Sequence, residues 1–268
     1  STPGSIHIIE AQERVLGPFD SDMVAQLTAA SEAEGITVHT GRTISEIIEE
    51  KNQFKVVCGP DETVEVDLVI NGAGRRPNID DMNLDISGID YSARGITVDP
   101  SMKTSNKNVF AVGDCAATVQ LARVADMEAK TAARSILSEL EGETFSPIDY
   151  QVVPAVLFTY PQLGMVGMTE DQLLQEGIKY WKSADIELSW PTYRRIGMRH
   201  AAFKILCDSD GNILGAHFLS DNTTGLVNTF AQAMRSGAIV DDIYNNHVVA
   251  PYPSRESDIL YMLSPLVE

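Results

Sequence analysis

The sequence predicts an α/β fold followed by an α+β domain, and three observations point to it. Near the N-terminus a strand, a helix and a second strand follow one another, which is the order of a parallel βαβ unit. In the middle of the chain, an apolar run ends in Gly113-Asp114 and leads into a long Ala-rich helical pattern. Beyond residue 147, strand patterns separated by turns outnumber helical ones, which is typical of an α+β domain.

Composition narrows the class of protein further. The 268 residues suffice for two domains and part of a third, and 44% hydrophobic with 22% charged residues is ordinary for a globular chain. A formal net charge of -18 argues against binding to nucleic acid or to anionic membrane surfaces. No apolar run has the length of a membrane helix, and no secretory signal pattern is present. We therefore expect neither a nucleic acid nor a membrane as partner.

The three cysteines, Cys58, Cys115 and Cys207, lie far apart and form no close pair. This spacing fits a reducing cytoplasm, where we expect the protein to be located. It also predicts neither a metal site nor a redox-active dithiol within this chain.

The N-terminal βαβ unit consists of the strand Ile6–Ile9, an amphipathic helix over Phe19–Glu34 and the strand Ile36–His39. Asp20 and Ser21 are the candidate N-caps of the helix, since both side chains can accept a hydrogen bond from the first-turn amides.

Antiparallel strands then follow, at Thr43–Glu50, Phe54–Val57 and Thr63–Val66, because apolar and polar residues alternate there. Asp67–Ile70 is predicted to be a buried strand, and it ends in a Gly-rich turn over residues 71–78. Such a turn exposes bare backbone at the carboxyl end of a strand, where open α/β sheets bind ligands.

The second strand end of this kind is the most informative feature of the chain. Val109–Val112 is predicted to be a short buried strand that stops at Gly113-Asp114, ahead of a helix over Leu121–Leu140. The glycine allows close backbone approach, and the carboxylate stands at the carboxyl end of the strand. From the residues alone, a ligand-binding turn and an ordinary turn remain equally open.

A domain boundary is predicted near Ser146-Pro147. Beyond it the pattern predicts five strands, at residues 152–158, 164–168, 178–186, 201–208 and 213–219. Two helices are predicted among them, at residues 169–175 and 224–236.

Glu10 closes the first strand of the chain. In a dinucleotide-binding fold, an acidic residue after the second strand binds the hydroxyls of the adenosine ribose and favours NAD over NADP. Taken alone, Glu10 fits a solvated strand-end residue at least as well. The preceding strand with its GxGxxG turn is missing from the sequence, and we expect it upstream of residue 1.

Together these segments resemble the flavoprotein pyridine nucleotide-disulfide oxidoreductases, the family of glutathione reductase, dihydrolipoamide dehydrogenase and mercuric reductase. Ile8–Ala11 with Phe19-Asp20, residues 71–78 and residues 109–114 stand in the order seen in that family. The C-terminal segments resemble its dimerisation domain, namely Pro161 and residues 165–170, 203–206 and 215–217. The resemblance covers essentially the whole chain and places it in the C-terminal part of such an enzyme.

The resemblance implies a partial Rossmann-like nicotinamide domain over residues 1–75 and the C-terminal part of an FAD domain over 76–146. A dimerisation domain over 147–268 would follow. It further implies FAD and NAD(P)H as cofactors, with NADH favoured by Glu10, a second copy of the chain as partner in a homodimer, and a small-molecule electron acceptor.

Carried over residue by residue, the resemblance gives roles to specific positions. Asp114, after Gly113, would accept a hydrogen bond from the ribityl chain of FAD. The segment that contains Ala122 and Arg123 would present backbone N–H groups to the pyrimidine edge of the flavin. Gly74 and Arg75 would lie where the nicotinamide and FAD domains meet, although Arg75 also fits a solvated surface residue.

The C-terminal segment departs from the pattern of the disulfide reductases, which carry a His-Pro pair as acid and base. Here Ala250 or Tyr252 occupies the position of the histidine, and His247 falls in a predicted strand. The run Ala250–Tyr252 resembles mercuric reductase, and that resemblance makes Tyr252 the candidate catalytic residue. Tyr252 and Glu256 also fit a dimer interface, which we expect for Glu256.

Two alternatives to a disulfide reductase remain. The chain alone is expected to be inactive and could serve as a homodimerisation module. The parent protein could also be a flavoprotein oxidase or a mercuric-reductase-like enzyme. The electron acceptor stays open, since the residues that select it are expected upstream.

Overall fold

The computed structural model of the protein describes residues 4–59, 62–141, 146–150, 152–247 and 250–267. Its contacts divide the chain into two units, one of residues 1–69 with 151–268 and one of residues 70–150. The three-domain division predicted from the sequence, with boundaries at 75 and 146, stays a prediction.

The predicted βαβ unit is confirmed. Strand β1 (Ile6–Ile9), helix α1 (Ser21–Ala33) and strand β2 (Ile36–His39) follow one another, and the two strands pair in parallel. Asp20 is the N-cap of α1, since its Oδ1 accepts hydrogen bonds from the backbone amides of Asp22 and Met23.

The antiparallel ribbon is also confirmed, as strands β3 (Glu46–Glu50), β4 (Gln53–Val57) and β5 (Thr63–Val66). The predicted buried strand at Asp67–Ile70 is wrong. Those residues form no strand, and Leu68 is 70% exposed. An apolar run becomes a buried strand only where a neighbouring strand pairs with it, and within the described residues none does.

The second unit is built mainly from turns around one long helix. Two short strands form a hairpin, β6 (Tyr91–Ser92) and β7 (Gly95–Ile96), and helix α2 (Ala122–Glu141) confirms the predicted helix. Its small core consists of Ile79, Leu84, Ile89, Ile96, Ala111 and Ala116.

The predicted strand Val109–Val112 is wrong as a regular strand. Only Phe110 makes a bridge, to Lys103, and the chain then turns into a 3-10 helix over Gly113–Cys115. The segment that faces it is itself a tight turn, with Met102 in a left-handed conformation, so it offers too little extended backbone for a ladder.

The rest of the first unit contains a five-stranded antiparallel sheet in the order β10-β11-β12-β9-β8. Its strands confirm the five predicted ones: β8 (Ala155–Leu157), β9 (Gln162–Gly167), β10 (Trp181–Asp185), β11 (Ala202–Cys207) and β12 (Ile213–Ser220). The helices are α3 (Glu170–Glu176), α4 (Pro191–Arg194), α5 (Thr223–Ser236), α6 (Val240–Asp242) and α7 (Ile259–Val267).

Both faces of this sheet are covered. The larger core joins alternate side chains of β11 and β12, such as Phe203 and Phe218, to α5 and α7. On the opposite face, Met23 and Leu27 of α1 pack against Leu219 and its neighbours. Helix α1 is thereby fixed to the α+β sheet as well as to its own strands.

Helices α3 and α5 were predicted and α7 was not. His247 was predicted to lie in a strand, which is wrong, because Ile243–His247 forms a π-helix. Among the described helices, none is both long and apolar enough to cross a membrane.

Candidate functional site

The Gly113-Asp114 turn presents an exposed carboxylate. Gly113 has a φ of +71°, and a Cβ there would lie 3.2 Å from the Cβ of Ala125, so the turn packs closely against the start of α2. The Asp114 side chain is 55% exposed, and its Oδ2 lies 2.9 Å from Nη2 of Arg75. The structure therefore brings together Asp114 and Arg75, two residues that the resemblance placed at the cofactor.

This ion pair lies in a cleft of about 330 Å³ in the second unit. The cleft is lined by Arg75, Arg76, Pro77, Asn78, Asp114, Cys115 and Gln120. Both charged groups of the pair are mostly exposed, so solvent weakens their attraction. Gly74 precedes the cleft with a φ of +104°, a conformation that favours glycine.

Helix α2 begins at Ala122, and its first amides are open. Ala125 N–H is the first of this turn to find an acceptor, the carbonyl of Leu121. Within the described part of the chain, the amides of residues 122–124 have no acceptor. The side chain of Arg123 points to solvent at 94% exposure and pairs with Asp126 at 2.7 Å, so only its backbone is available for a cofactor role.

Sequence reasoning missed the group that holds the turn, Glu128 of α2. It is fully buried, and its Oε2 accepts a hydrogen bond of 2.6 Å from the Gly113 amide. A glutamate inside a helical pattern is normally predicted to lie on the surface. The burial of Glu128 becomes apparent only in the folded chain, where it contacts Gly113.

Glu10 lies in the first unit, at the end of β1. Its amide bonds to the carbonyl of His39, and its own carbonyl accepts from Arg42, so strand pairing fixes its position. The half-buried side chain accepts a hydrogen bond of 2.8 Å from the Gln12 amide through Oε1. Its Oε2 has no hydrogen-bond partner among the residues that the structure describes.

Tyr252 also belongs to the first unit and is 69% exposed. It borders a cleft of about 260 Å³ lined by Trp190, Pro191, Thr192, Tyr252, Asp258 and Tyr261. The buried Asp258 accepts a hydrogen bond from the Thr192 hydroxyl, and burial raises the pKa of its carboxyl group.

Arg255 anchors the segment that carries Tyr252. Its Nε lies 2.7 Å from Asp221, its Nη1 donates to the carbonyl of Thr192, and its guanidinium stacks 4.1 Å from the ring centre of Tyr193. The carboxylate of Glu256 lies against Gly225 of α5, and a Cβ added at Gly225 would overlap it. The side chain of His247 lies outside the described residues.

A buried ionic cluster in the first unit was also missed by sequence reasoning. Nζ of the fully buried Lys204 lies 2.9 Å from Asp20, 2.7 Å from Asp22 and 2.7 Å from Glu170. Burial lowers the pKa of Lys204, but these carboxylates outweigh it and hold the pKa above its usual value. The cluster ties the N-termini of α1 and α3 to strand β11.

Burial raises the pKa of Glu170, yet hydrogen bonds from Lys182, Lys204 and Tyr180 outweigh that effect and bring the pKa to about 2. Within the described residues, no group of three or more His, Cys, Asp or Glu side chains is placed to hold a metal ion.

The parallel βαβ unit, the Gly-Asp turn beside a helix N-terminus and the five-stranded antiparallel sheet define a multidomain protein of mixed α/β class. Two family models match the chain. Residues 4–129 match "Pyridine nucleotide-disulphide oxidoreductase", and residues 153–259 match its dimerisation domain. The chain belongs to the pyridine nucleotide-disulphide oxidoreductase family.

Similar proteins agree with this assignment. A dihydrolipoyl dehydrogenase of Staphylococcus aureus is 28% identical over 243 residues, which are 89% of this chain and 51% of that protein. A mercuric reductase of Bacillus cereus is 27% identical over 253 residues, 92% of this chain and 39% of that protein. An uncharacterized 19.7 kDa protein in a mercuric resistance operon of S. aureus is 34% identical over 186 residues, 68% of this chain and 100% of that protein.

The fold is shared with solved structures. The HOCl-induced flavoprotein disulfide reductase RclA of Escherichia coli superposes with a TM-score of 0.86 at 22% identity, over 98% of this chain and 60% of that one. The chain spans about half the length of the dihydrolipoyl dehydrogenase that it matches.

Proposed function

We propose that the protein forms part of an FAD-dependent oxidoreductase that passes electrons from NAD(P)H through the flavin to a disulfide or a related acceptor. The observation that carries the proposal is the exposed Asp114 carboxylate, on a turn packed against the start of α2, in a chain of this family. Because the chain spans about half of a relative such as the S. aureus dihydrolipoyl dehydrogenase, the activity is proposed for the whole protein.

The residues present fit the part of FAD that they would hold. A ribityl chain offers hydroxyl donors, and Asp114 offers an accessible carboxylate acceptor. The pyrimidine edge of a flavin offers oxygen and nitrogen acceptors, and the first turn of α2 offers amide donors without internal partners. No acidic side chain stands in that first turn to compete with them.

Bound flavin supplies the hydride and electron chemistry, and the protein supplies orientation and electrostatics. Asp114 would give up its contact with Arg75 and orient the ribityl chain instead. The backbone amides of Ala122 and Arg123 would stabilise negative charge at the pyrimidine edge, since a helix N-terminus carries a partial positive charge. Gly113 and Gly74 would leave room for the cofactor beside the backbone.

We infer NADH rather than NADPH as the electron donor, because an acid at the end of such a strand would repel a 2′-phosphate, and Glu10 closes β1. The oxygen that Gln12 leaves free would accept from a ribose hydroxyl. Replacing Glu10 by Gln should narrow the difference in KM between NADH and NADPH, and an unchanged ratio would argue against this role.

The partner that the chain favours is a second copy of itself, since residues 153–259 match a dimerisation domain. Tyr252 is our candidate for contact with the small-molecule acceptor, because it is exposed beside a cleft. The three cysteines are free, which supports a reducing cytoplasm as location.

Flavin binding tests the proposal. The natural polypeptide that carries this sequence should purify with FAD, and Asp114→Ala should weaken FAD affinity about 10- to 100-fold, the range of a hydrogen bond to a charged group. Asp90→Ala, an exposed aspartate of the same unit, serves as the matched control and should bind FAD normally. Equal affinities of the two variants, measured by flavin fluorescence titration, would refute the role of Asp114.

A further inference from the structure

The carboxyl group of Glu128 is buried beneath the Gly113-Asp114 turn and is used on both of its oxygens. Oε2 accepts a hydrogen bond of 2.6 Å from the Gly113 amide, and Oε1 accepts one of 2.8 Å from the Tyr150 hydroxyl. The side chain has no solvent exposure, so these two bonds replace its hydration. All three residues belong to the second unit.

The contact fixes the turn from within the core. Gly113 is the residue directly before Asp114, and its left-handed backbone is pressed against Ala125, one turn of α2 before Glu128. The hydrogen bond from the Gly113 amide to the Glu128 side chain restricts the backbone conformations that the turn can adopt. The Asp114 carboxylate consequently projects outward, while the amide beside it is held inward.

Tyr150 completes the arrangement, because its hydroxyl satisfies the second oxygen of Glu128. Burial and the neighbouring Glu128 both raise the pKa of Tyr150, so the phenol keeps its proton at all physiological pH values and remains a donor. The hydroxyl also lies 3.8 Å from the sulfur of Met102. The carboxyl group is thereby held in one orientation.

We propose that Glu128, oriented by Tyr150, is the positioning residue of the flavin site: it holds the Gly113 amide so that Asp114 meets the ribityl chain in a fixed place. This inference rests on the proposed function. Glu128 touches no cofactor itself and acts through the turn. Its effect on binding is to reduce the conformational freedom that Asp114 would lose when FAD binds.

The test uses Glu128→Ala, Glu128→Gln and Tyr150→Phe in the natural polypeptide, with two readouts. Hydrogen–deuterium exchange of the Gly113 amide, without FAD, should accelerate about 10-fold or more in Glu128→Ala, the effect of one strong hydrogen bond. FAD affinity should fall by a similar factor. Glu128→Gln should restore much of both, because its amide oxygen still accepts from Gly113 and Tyr150 can turn its hydroxyl into an acceptor.

Two controls separate positioning from stability. Glu141→Gln changes an exposed glutamate at the end of the same helix and should alter neither readout. Leu84→Ala removes core packing of this unit, so it measures how much Gly113 exchange and FAD affinity change through lost stability alone; Glu128→Ala should change both by more at an equal loss of unfolding free energy. If Glu128→Ala fails to fold, Tyr150→Phe and Glu128→Gln carry the test with smaller changes.

The outcomes are distinct. An unprotected Gly113 amide in the wild type, or unchanged exchange in Glu128→Ala, overturns the anchoring contact. Faster exchange with unchanged FAD affinity overturns the positioning role. A normal FAD affinity in Asp114→Ala, with weakened affinity in Glu128→Ala, refutes the proposed function of Asp114 and with it this inference. Parallel losses in Asp114→Ala and Glu128→Ala, with partial recovery in Glu128→Gln, support it.

Discussion

Lys204 is a fully buried charge in the first unit, and its surroundings determine how strongly its removal destabilises the fold. Its ammonium group lies within 2.9 Å of Asp20 and 2.7 Å of both Asp22 and Glu170. Asp20 is itself buried, so removing the cation leaves a carboxylate without solvent or counter-charge.

We expect Lys204→Met to destabilise the protein by about 3–5 kcal/mol, the cost of breaking a buried ion pair on one side. The control is Lys182→Met, since Lys182 also contacts Glu170 but is 44% exposed, and it should cost no more than about 1 kcal/mol. Urea unfolding of both variants measures the difference, and equal costs would contradict the burial argument.

Glu170 makes the unfolding free energy of the protein depend on pH in the acid range. Its pKa is about 2 in the folded state, against 4.5 for the ordinary group. Because the folded pKa is the lower one, the stabilisation is fully present above about pH 4.5 and is lost as the pH falls towards 2.

The advantage of wild type over Glu170→Gln in unfolding free energy should therefore shrink between pH 5 and about pH 3. Glu176→Gln, an exposed change on the same helix, should show a constant difference over that range. A wild-type advantage that does not vary with pH would show that Glu170 titrates normally.

At the scale of elements, two glycines let β9 and β12 approach each other. Gly215 pairs with Gly167 across the sheet, and a methyl group at Gly215 would overlap the carbonyl oxygen of Met168. That same carbonyl lies 3.0 Å from Nε2 of the buried His217. Close approach of the two strands thus provides a hydrogen bond for a buried ring.

Gly215→Ala should destabilise the protein by about 2–3 kcal/mol, since the strands must separate to admit the methyl group. Gly72→Ala introduces the same methyl where the structure leaves open space and should have little effect. Thermal unfolding of the two variants makes the comparison, and a Gly215→Ala protein as stable as wild type would contradict the close approach.

The elements also show how far the sequence leads. The spacing of apolar residues and the residues that end each element predicted β1, α1, β2 and the five strands of the α+β sheet. Each of these elements has a regular apolar pattern and a definite end. Asp67–Ile70 and Val109–Val112 were mispredicted, since an apolar run does not reveal whether a partner strand faces it. Helix α7 was not predicted, because it follows a segment with two prolines and has no clear helical pattern of its own.

The candidate site divides in the same way. The local motif drew attention to Asp114, the family resemblance gave Asp114 and Arg75 their expected roles, and the structure pairs the two side chains at 2.9 Å. Glu128 and Lys204 could not be named from the sequence, because a charged residue in a helix or strand pattern reads as exposed until the fold brings its partners around it. Long-range contacts such as Lys204 with Asp20 leave no trace in spacing along one chain.

At the scale of the whole molecule, the family assignment and the geometry of the second unit support one account. The chain carries the turn and helix end that would hold a flavin, together with a domain whose family forms dimers. Its net charge of -18 does not hinder this, since the site itself combines Asp114 with Arg75 and the open amides of α2.

Hydrogen–deuterium exchange of the natural polypeptide, first stripped of flavin and then given FAD, tests this account most directly. We predict that FAD slows exchange at the amides of residues 113–115 and 122–124, where the carboxylate turn and the first turn of α2 would contact it. Exchange that stays unchanged at both segments, while FAD is bound, would contradict the account.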